Sequence, residues 1–114
     1  MAIQPYKDLT VWRKLFDLAK QVYTITKRLP PDELYGLTSQ MRRCAVSIPS
    51  NIAEGQQRSG KGEFRHFLGI ARGSAAELST QLLLVKSLYG LDTVRLVEEL
   101  EEIQKMLYSL QSRL

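Results

Sequence analysis

Apolar side chains recur at three- and four-residue steps along nearly the whole chain, the repeat that gathers them on one face of an α-helix. In the first segment Leu9, Trp12, Leu15, Phe16, Ala19, Val22, Tyr23 and Thr26 form such a stripe. Asp8 or Thr10 is placed to cap its start, and Lys27 and Arg28 to complement the dipole at its end. Leu29-Pro30-Pro31-Asp32 stops it, because proline has no amide to donate and pushes the residue before it out of helical geometry. A second stripe runs through Leu34, Leu37, Met41, Ala45, Ile48 and Ile52, with Cys44 at its flank. Pro49 must either kink or break this helix; Ile48 and Ile52 keep the phase across it, so the pattern predicts one helix from about Pro31 to Gln57, kinked near Ala45 to Ile48. Gly55 to Gly62 is polar and glycine-rich, a loop.

The third stripe, Phe64, Phe67, Leu68, Ala71, Ala75, Leu78, Leu82, Val85 and Tyr89, predicts a helix from about Gly62 to Tyr89 that stops at Gly90. Gly69 and Gly73 lie inside it, each costing ~1 kcal/mol relative to alanine, which implies a close approach to the backbone, such as a neighbouring helix. Asp92 then caps a fourth helix carrying Leu96, Val97, Leu100, Ile103, Leu107, Leu110 and Leu114, with Glu98, Glu99, Glu101 and Glu102 on its outer face. No segment alternates apolar and polar residues as a half-buried strand would. Four helices joined by short links make an all-α, up-down-up-down antiparallel four-helix bundle, one domain over residues 1–114. Val11, Leu18, Ile25, Ile70 and Leu83 fall outside the main stripes, more apolar surface than one bundle covers, so a homo-oligomer is expected.

Composition narrows the function classes. The longest apolar run, Leu82 to Val85, is far below the ~20 residues that span a bilayer, and the first residues lack the apolar core of a secretory signal. A cytoplasmic protein without a membrane partner is the expectation. One cysteine and one histidine give no ligand set for a metal, and no cofactor motif is present. The net charge of +4 is unevenly spread: residues 1–80 carry 12 basic and 7 acidic side chains, residues 81–114 carry 4 and 5. That bias in the first three helices suits an anionic partner.

Candidate chemistry is sparse. His66 has no nucleophile or carboxylate at a spacing that would give it a task, and Cys44, beside Arg43 but flanking an apolar stripe, reads as a small hydrophobe. Gly55, Gly60 and Lys61 match the spacing of a phosphate-binding loop, but Gly62 stands where the magnesium-binding hydroxyl belongs and no strand precedes it. Phosphate-backbone binding by Arg58, Lys61 and Arg65 fits that loop better than nucleotide hydrolysis. Of the adjacent Arg42 and Arg43, Arg43 is the better placed to be partly buried; together with Asn51, Glu54 and Glu77 it would make a polar layer inside the bundle, since a buried charge needs a partner. No catalytic set emerges, and the chain reads as a binding protein rather than an enzyme.

Four stretches carry a family resemblance: Asp8-Leu9 with Val11-Trp12; Tyr35-Gly36-Leu37-Thr38-Ser39-Gln40-Met41-Arg42-Arg43; Ser47-Ile48-Pro49-Ser50-Asn51-Ile52-Ala53-Glu54-Gly55; and Phe67-Leu68, Ala71, Gly73-Ser74 and Glu77-Leu78. Over nearly its whole length the chain resembles the four-helix bundle proteins encoded by intervening sequences of bacterial 23S ribosomal RNA genes. The resemblance implies a ring-shaped homopentamer without established catalysis, similar in shape to the nucleic-acid-binding accessory subunit of diversity-generating retroelements. RNA or DNA is then the expected ligand, with Arg42, Arg58, Lys61, Arg65 and Arg72 supplying phosphate contacts. The alternative is a scaffold that docks a protein partner through the glutamates of the fourth helix or the loop from Gly55 to Gly62.

Overall fold

The computed structural model describes residues 5–114; the opening residues of the N-terminus read above, Met1 to Gln4, lie outside the described residues. Four helices dominate: α1 (Thr10–Thr26), α2 (Ser39–Gln57), α3 (Lys61–Tyr89) and α4 (Val94–Ser112). No strand occurs among the described residues. Each helix packs on its neighbour in sequence and α4 closes back on α1, giving the antiparallel four-helix bundle, a rod of 49 × 23 × 20 Å. Short turns enforce this: three residues, Arg58 to Gly60, join α2 to α3, and four, Gly90 to Thr93, join α3 to α4. Glycines make both reversals, because Gly60 (φ 148°) and Gly90 (φ 67°) adopt backbone conformations that side chains disfavour. Gly90 is the stop expected for α3, its amide donating to the Lys86 carbonyl at 2.9 Å.

The core runs the length of the rod. Leu15, Val22, Met41, Ile48, Ile52, Leu68, Leu78, Leu82, Leu100, Ile103 and Leu107 are fully enclosed. The stripes of α3 and α4 are those the spacing predicts, save that Tyr89 is exposed. The stripe of α1 differs. Its buried residues are Val11, Leu15, Leu18, Val22 and Thr26, whereas Phe16 and Tyr23 are exposed and Trp12 and Ala19 half-buried. This helix is apolar on two adjacent faces about 100° apart, and the aliphatic face takes the core against α2 and α4. Val11 and Leu18 therefore belong to the core and not to a second surface.

Before α2 the chain is less regular than one helix from Pro31 would be. A 3₁₀ turn (Pro31–Glu33) leads into a wide π turn (Leu34–Thr38), and Gly36 has non-helical angles (φ −112°, ψ −116°). Glu33 holds this segment: its Oε1 accepts from the Leu37 amide at 3.2 Å and its Oε2 from the Tyr89 hydroxyl, tying the turn to the end of α3. Leu34, expected in the stripe, is exposed. Pro49 is buried inside α2, which continues through it to Gln57. Leu9, with no side-chain cap, stands at the start of α1, so neither Asp8 nor Thr10 caps it. At α4 the flanking residue is Thr93, and Asp92 Oδ1 accepts from the Val94 amide at 3.2 Å. Thr93 itself is buried and donates to the Leu82 carbonyl at 2.8 Å, locking the α3–α4 turn onto the core.

Candidate functional site

The five cations expected to meet phosphate do not share one surface. Arg58, Lys61 and Arg65 cluster at the α2–α3 turn, as their spacing requires, and Arg72 lies farther along α3. Arg42 sits in the α1–α2 seam, its Nε donating to Thr26 Oγ1 at 2.9 Å and its guanidinium 4.8 Å from the centre of the Tyr23 ring. Arg58 bridges Glu54 (3.3 Å) and Glu63 (4.0 Å) and stacks on Phe67. Arg65 donates to the Leu114 carbonyl, and Arg72 to Gln111 Oε1 at 2.7 Å while covering Tyr108. Four of the five thus hold helices together. Lys61 stands exposed in the first turn of α3, whose leading amides no side chain caps. A further pair escaped sequence reasoning: Arg28 and Arg95 line a groove of about 540 Å³ between α1 and α4, with Lys20, Asp17 and Asp92 in its wall. They are distant in sequence, so only the closure of α4 on α1 brings them together.

The four residues expected in an internal polar layer do not form one. Arg43 is exposed and reaches only Ser39 Oγ at 3.2 Å, and Glu54 and Glu77 are exposed as well. Half-buried Asn51 turns back on its own helix, donating to the Ser47 carbonyl at 2.8 Å. Of the two neighbouring arginines Arg42, not Arg43, is the partly buried one, because the core face of α2 passes through Met41, Cys44 and Ala45 and brings position 42 against α1.

A polar seam does join α2 to α3. The Cys44 thiol donates to the Ser74 carbonyl at 2.9 Å and approaches Glu77 Oε2 at 3.4 Å, while Ser47 and Ser74 share a hydrogen bond at 3.2 Å. Burial, reinforced by the hydrogen bond and negative charge of Glu77, pushes the thiol up to about 12. Such a group stays protonated at neutral pH, so it packs and does not attack. His66 is exposed and makes an edge contact with Phe67, 5.6 Å between ring centres. Among the described residues no three histidines, cysteines or carboxylates converge in a way that could hold a metal ion.

An aromatic concavity also escaped sequence reasoning. A groove of about 500 Å³ lies between α1 and α2, walled by Trp12, Phe16, Ala19 and Tyr23 on one side and Val46, Pro49 and Ala53 on the other. Tyr6 closes one end, packing edge-on against Trp12 at 5.2 Å, and Trp12 stacks on Phe16 at the same separation. Lys20, with its ammonium 5.6 Å from the Phe16 ring, is the charged residue of the lining. The signal was present as the four-residue and three-residue steps from Trp12 to Tyr23; aromatic bulk made that face look like the core. What this apolar trough suits is binding.

No curated protein matches the chain in sequence. The description "23S rRNA-intervening sequence protein" does match, over residues 7–109, and spans all four helices. With that match extending over nearly the whole bundle, and with the Ser47-to-Gly55 run lying inside α2 where α3 packs on it, the chain belongs to the 23S rRNA-intervening sequence protein family.

Proposed function

We propose that this protein acts without catalysis, as the repeating unit of a basic cytoplasmic homo-oligomer that binds the backbone of RNA or DNA. The observation that carries the reading is the separation of charge by element. Glu98, Glu101 and Glu102 are exposed together on α4, while the surplus of lysine and arginine lies on the segments before it. With 12 basic against 7 acidic side chains, residues 1–80 carry the net positive charge that suits an approach to phosphates. Lys61 at the uncapped start of α3, flanked by Arg58 and Arg65, is the best-placed contact, since the amide ends of a helix and nearby cations attract an anion jointly. Arg28 and Arg95 supply a second. Arg42 and Arg72, held by Thr26 and Gln111, serve the bundle first.

Gel shift with 23S ribosomal RNA fragments tests this. Binding at low salt should weaken as salt rises, and Lys61→Ala with Arg65→Ala should weaken it equally on unrelated sequences, because phosphate contacts carry no base information. Absence of any shift at low salt would eliminate the reading.

Self-association is supported by the uncovered groove of α1 and α2 and by the exposed Ile70, Leu83, Leu84 and Leu88 of α3. The family resemblance suggests five copies in a ring, and light scattering at micromolar concentration should give a mass near five chains. The same groove favours a second reading, a scaffold that binds a protein and no nucleic acid. Pull-down from nuclease-treated lysate separates the two, since a protein partner survives that treatment and an RNA-bridged one does not.

A further inference from the structure

Gly73 is the odd glycine of the α3 interior, Gly62 standing in the first turn. A side chain at Gly69 would meet Gln111 at 3.3 Å, so α4 accounts for that position, but a Cβ at Gly73 would meet nothing within 4 Å. Glycine in mid-helix is the worst common choice for stability after proline, and here no neighbour in the chain requires it. A group from outside the chain does require it, if one presses on the helix there. Position 73 lies on the exposed face of α3 that also carries Ile70, Glu77, Leu84 and Leu88, spaced by threes, fours and sevens so that all fall on one side of the helix. Three of them are large and apolar, with 40%, 44% and 59% of their surface open for Ile70, Leu84 and Leu88.

The complementary shape is on the same molecule. The α1–α2 groove is concave and aromatic, a trough between two antiparallel helices in which a third helix can lie. Charge matches too: Lys20, the charged residue of the lining, is positive although it also reaches Asp17 at 3.7 Å, and Glu77 at the centre of the stripe is negative. Resting on the oligomeric reading above, we infer that the α3 stripe of one copy docks into the α1–α2 groove of the next, with Gly73 admitting the rings of Trp12 and Phe16. The two surfaces are different patches on different faces, so the contact is head-to-tail, and a copy bound through its groove still offers its stripe. Such a contact generates a closed ring when its rotation closes, and a filament otherwise.

Sedimentation velocity on the full chain, beside Gly73→Leu and Phe16→Glu, tests the assignment. Gly73→Leu fills open space and improves helix propensity, so its helical content by circular dichroism should equal that of the unaltered protein while association weakens by about tenfold or more. Phe16→Glu, at an exposed position, should weaken association similarly with helical content unchanged. In a Cys44→Ala background, a short bis-maleimide should join copies carrying Ala19→Cys to copies carrying Ile70→Cys, and neither kind to itself. A monomeric unaltered protein would overturn the oligomeric reading and this inference with it. An assembled unaltered protein whose Gly73→Leu variant assembles equally well, or self-joining of Ala19→Cys copies, would overturn the assignment of faces alone.

Discussion

Gly55 is the residue on which the α2–α3 contact turns. A Cβ there would lie 2.5 Å from Cβ of Phe67, closer than real side chains come, with the Phe64 ring behind it. Gly55→Ala should therefore cost about 1–3 kcal/mol in denaturant melts, the usual range for overpacking, and since alanine at position 67 keeps that Cβ, Phe67→Ala in the same chain should return little of it, which a double-mutant cycle reads directly. Cys44 gives a second test. Because burial first and Glu77 second raise its thiol from the ordinary 9.0 to about 12, the protonated form is the one the fold favours. Its contribution to stability is complete below pH 9 and is lost as pH climbs toward 12. Maleimide labelling of the folded protein at pH 8 should be slow and should match its unfolding, whereas a cysteine at an exposed turn position, such as Ser59→Cys in a Cys44→Ala background, should label at once.

The turn before α2 shows how an element is held by a single carboxylate. The Tyr89 hydroxyl, and after it the Leu37 amide, keep the Glu33 carboxyl below its ordinary 4.5. A depressed carboxylate stabilises the fold above its unfolded value and ceases to do so as pH falls through the lower folded value. The partner behaves in the opposite sense: hydrogen bonding to Glu33 raises Tyr89 above 10.0, so its share is present below that pH and is lost at higher pH. The clamp is thus intact between mild acid and about pH 10, and Tyr89→Phe should flatten both flanks of the stability profile while leaving the middle lower. Thr93 is the corresponding lock at the other turn of this end; Thr93→Val, which removes its bond to the Leu82 carbonyl, should cost about 1 kcal/mol by thermal melt.

How far such elements could be read from the sequence depended on how many apolar faces each helix has. α4 has one, so Leu96 to Leu107 announce themselves and the glutamates mark the opposite side. In α1 the faces through Val11 and through Trp12 are both apolar, and periodicity alone does not say which one two neighbouring helices will cover. The π turn at Gly36 was equally hidden, because Leu34 and Leu37 keep helical spacing while the fixing interaction comes from Tyr89, at the far end of α3. The site suffered for the same reason. Arginine positions are visible in a sequence, but whether each meets solvent or a ring on the next helix depends on packing, and for Arg42, Arg58 and Arg72 a neighbouring aromatic takes the guanidinium face.

At the scale of the molecule, the bundle is a rod 49 Å long, and no helix among the described residues is long and apolar enough to cross a membrane. What it offers is surface: an aromatic groove, an apolar stripe, and cations gathered at the α2–α3 turn and between α1 and α4. On the proposed reading the first two serve assembly and the third phosphate, and assembly would multiply a modest charge. A chain with a net +4 becomes a strongly positive particle when several copies join, and its affinity for polyanions should depend on the oligomer. Variants that dissociate it should bind RNA far more weakly even though they keep every cation.

The most direct measurement is fluorescence anisotropy of a labelled 23S ribosomal RNA fragment titrated with the intact protein over a series of salt concentrations. A straight fall of log affinity against log salt is expected, with a slope of about −0.7 to −0.9 for each phosphate engaged, made shallower by Lys61→Ala. Affinity that is absent at low salt, or that holds constant as salt rises, would contradict a protein that works by gripping nucleic-acid backbone.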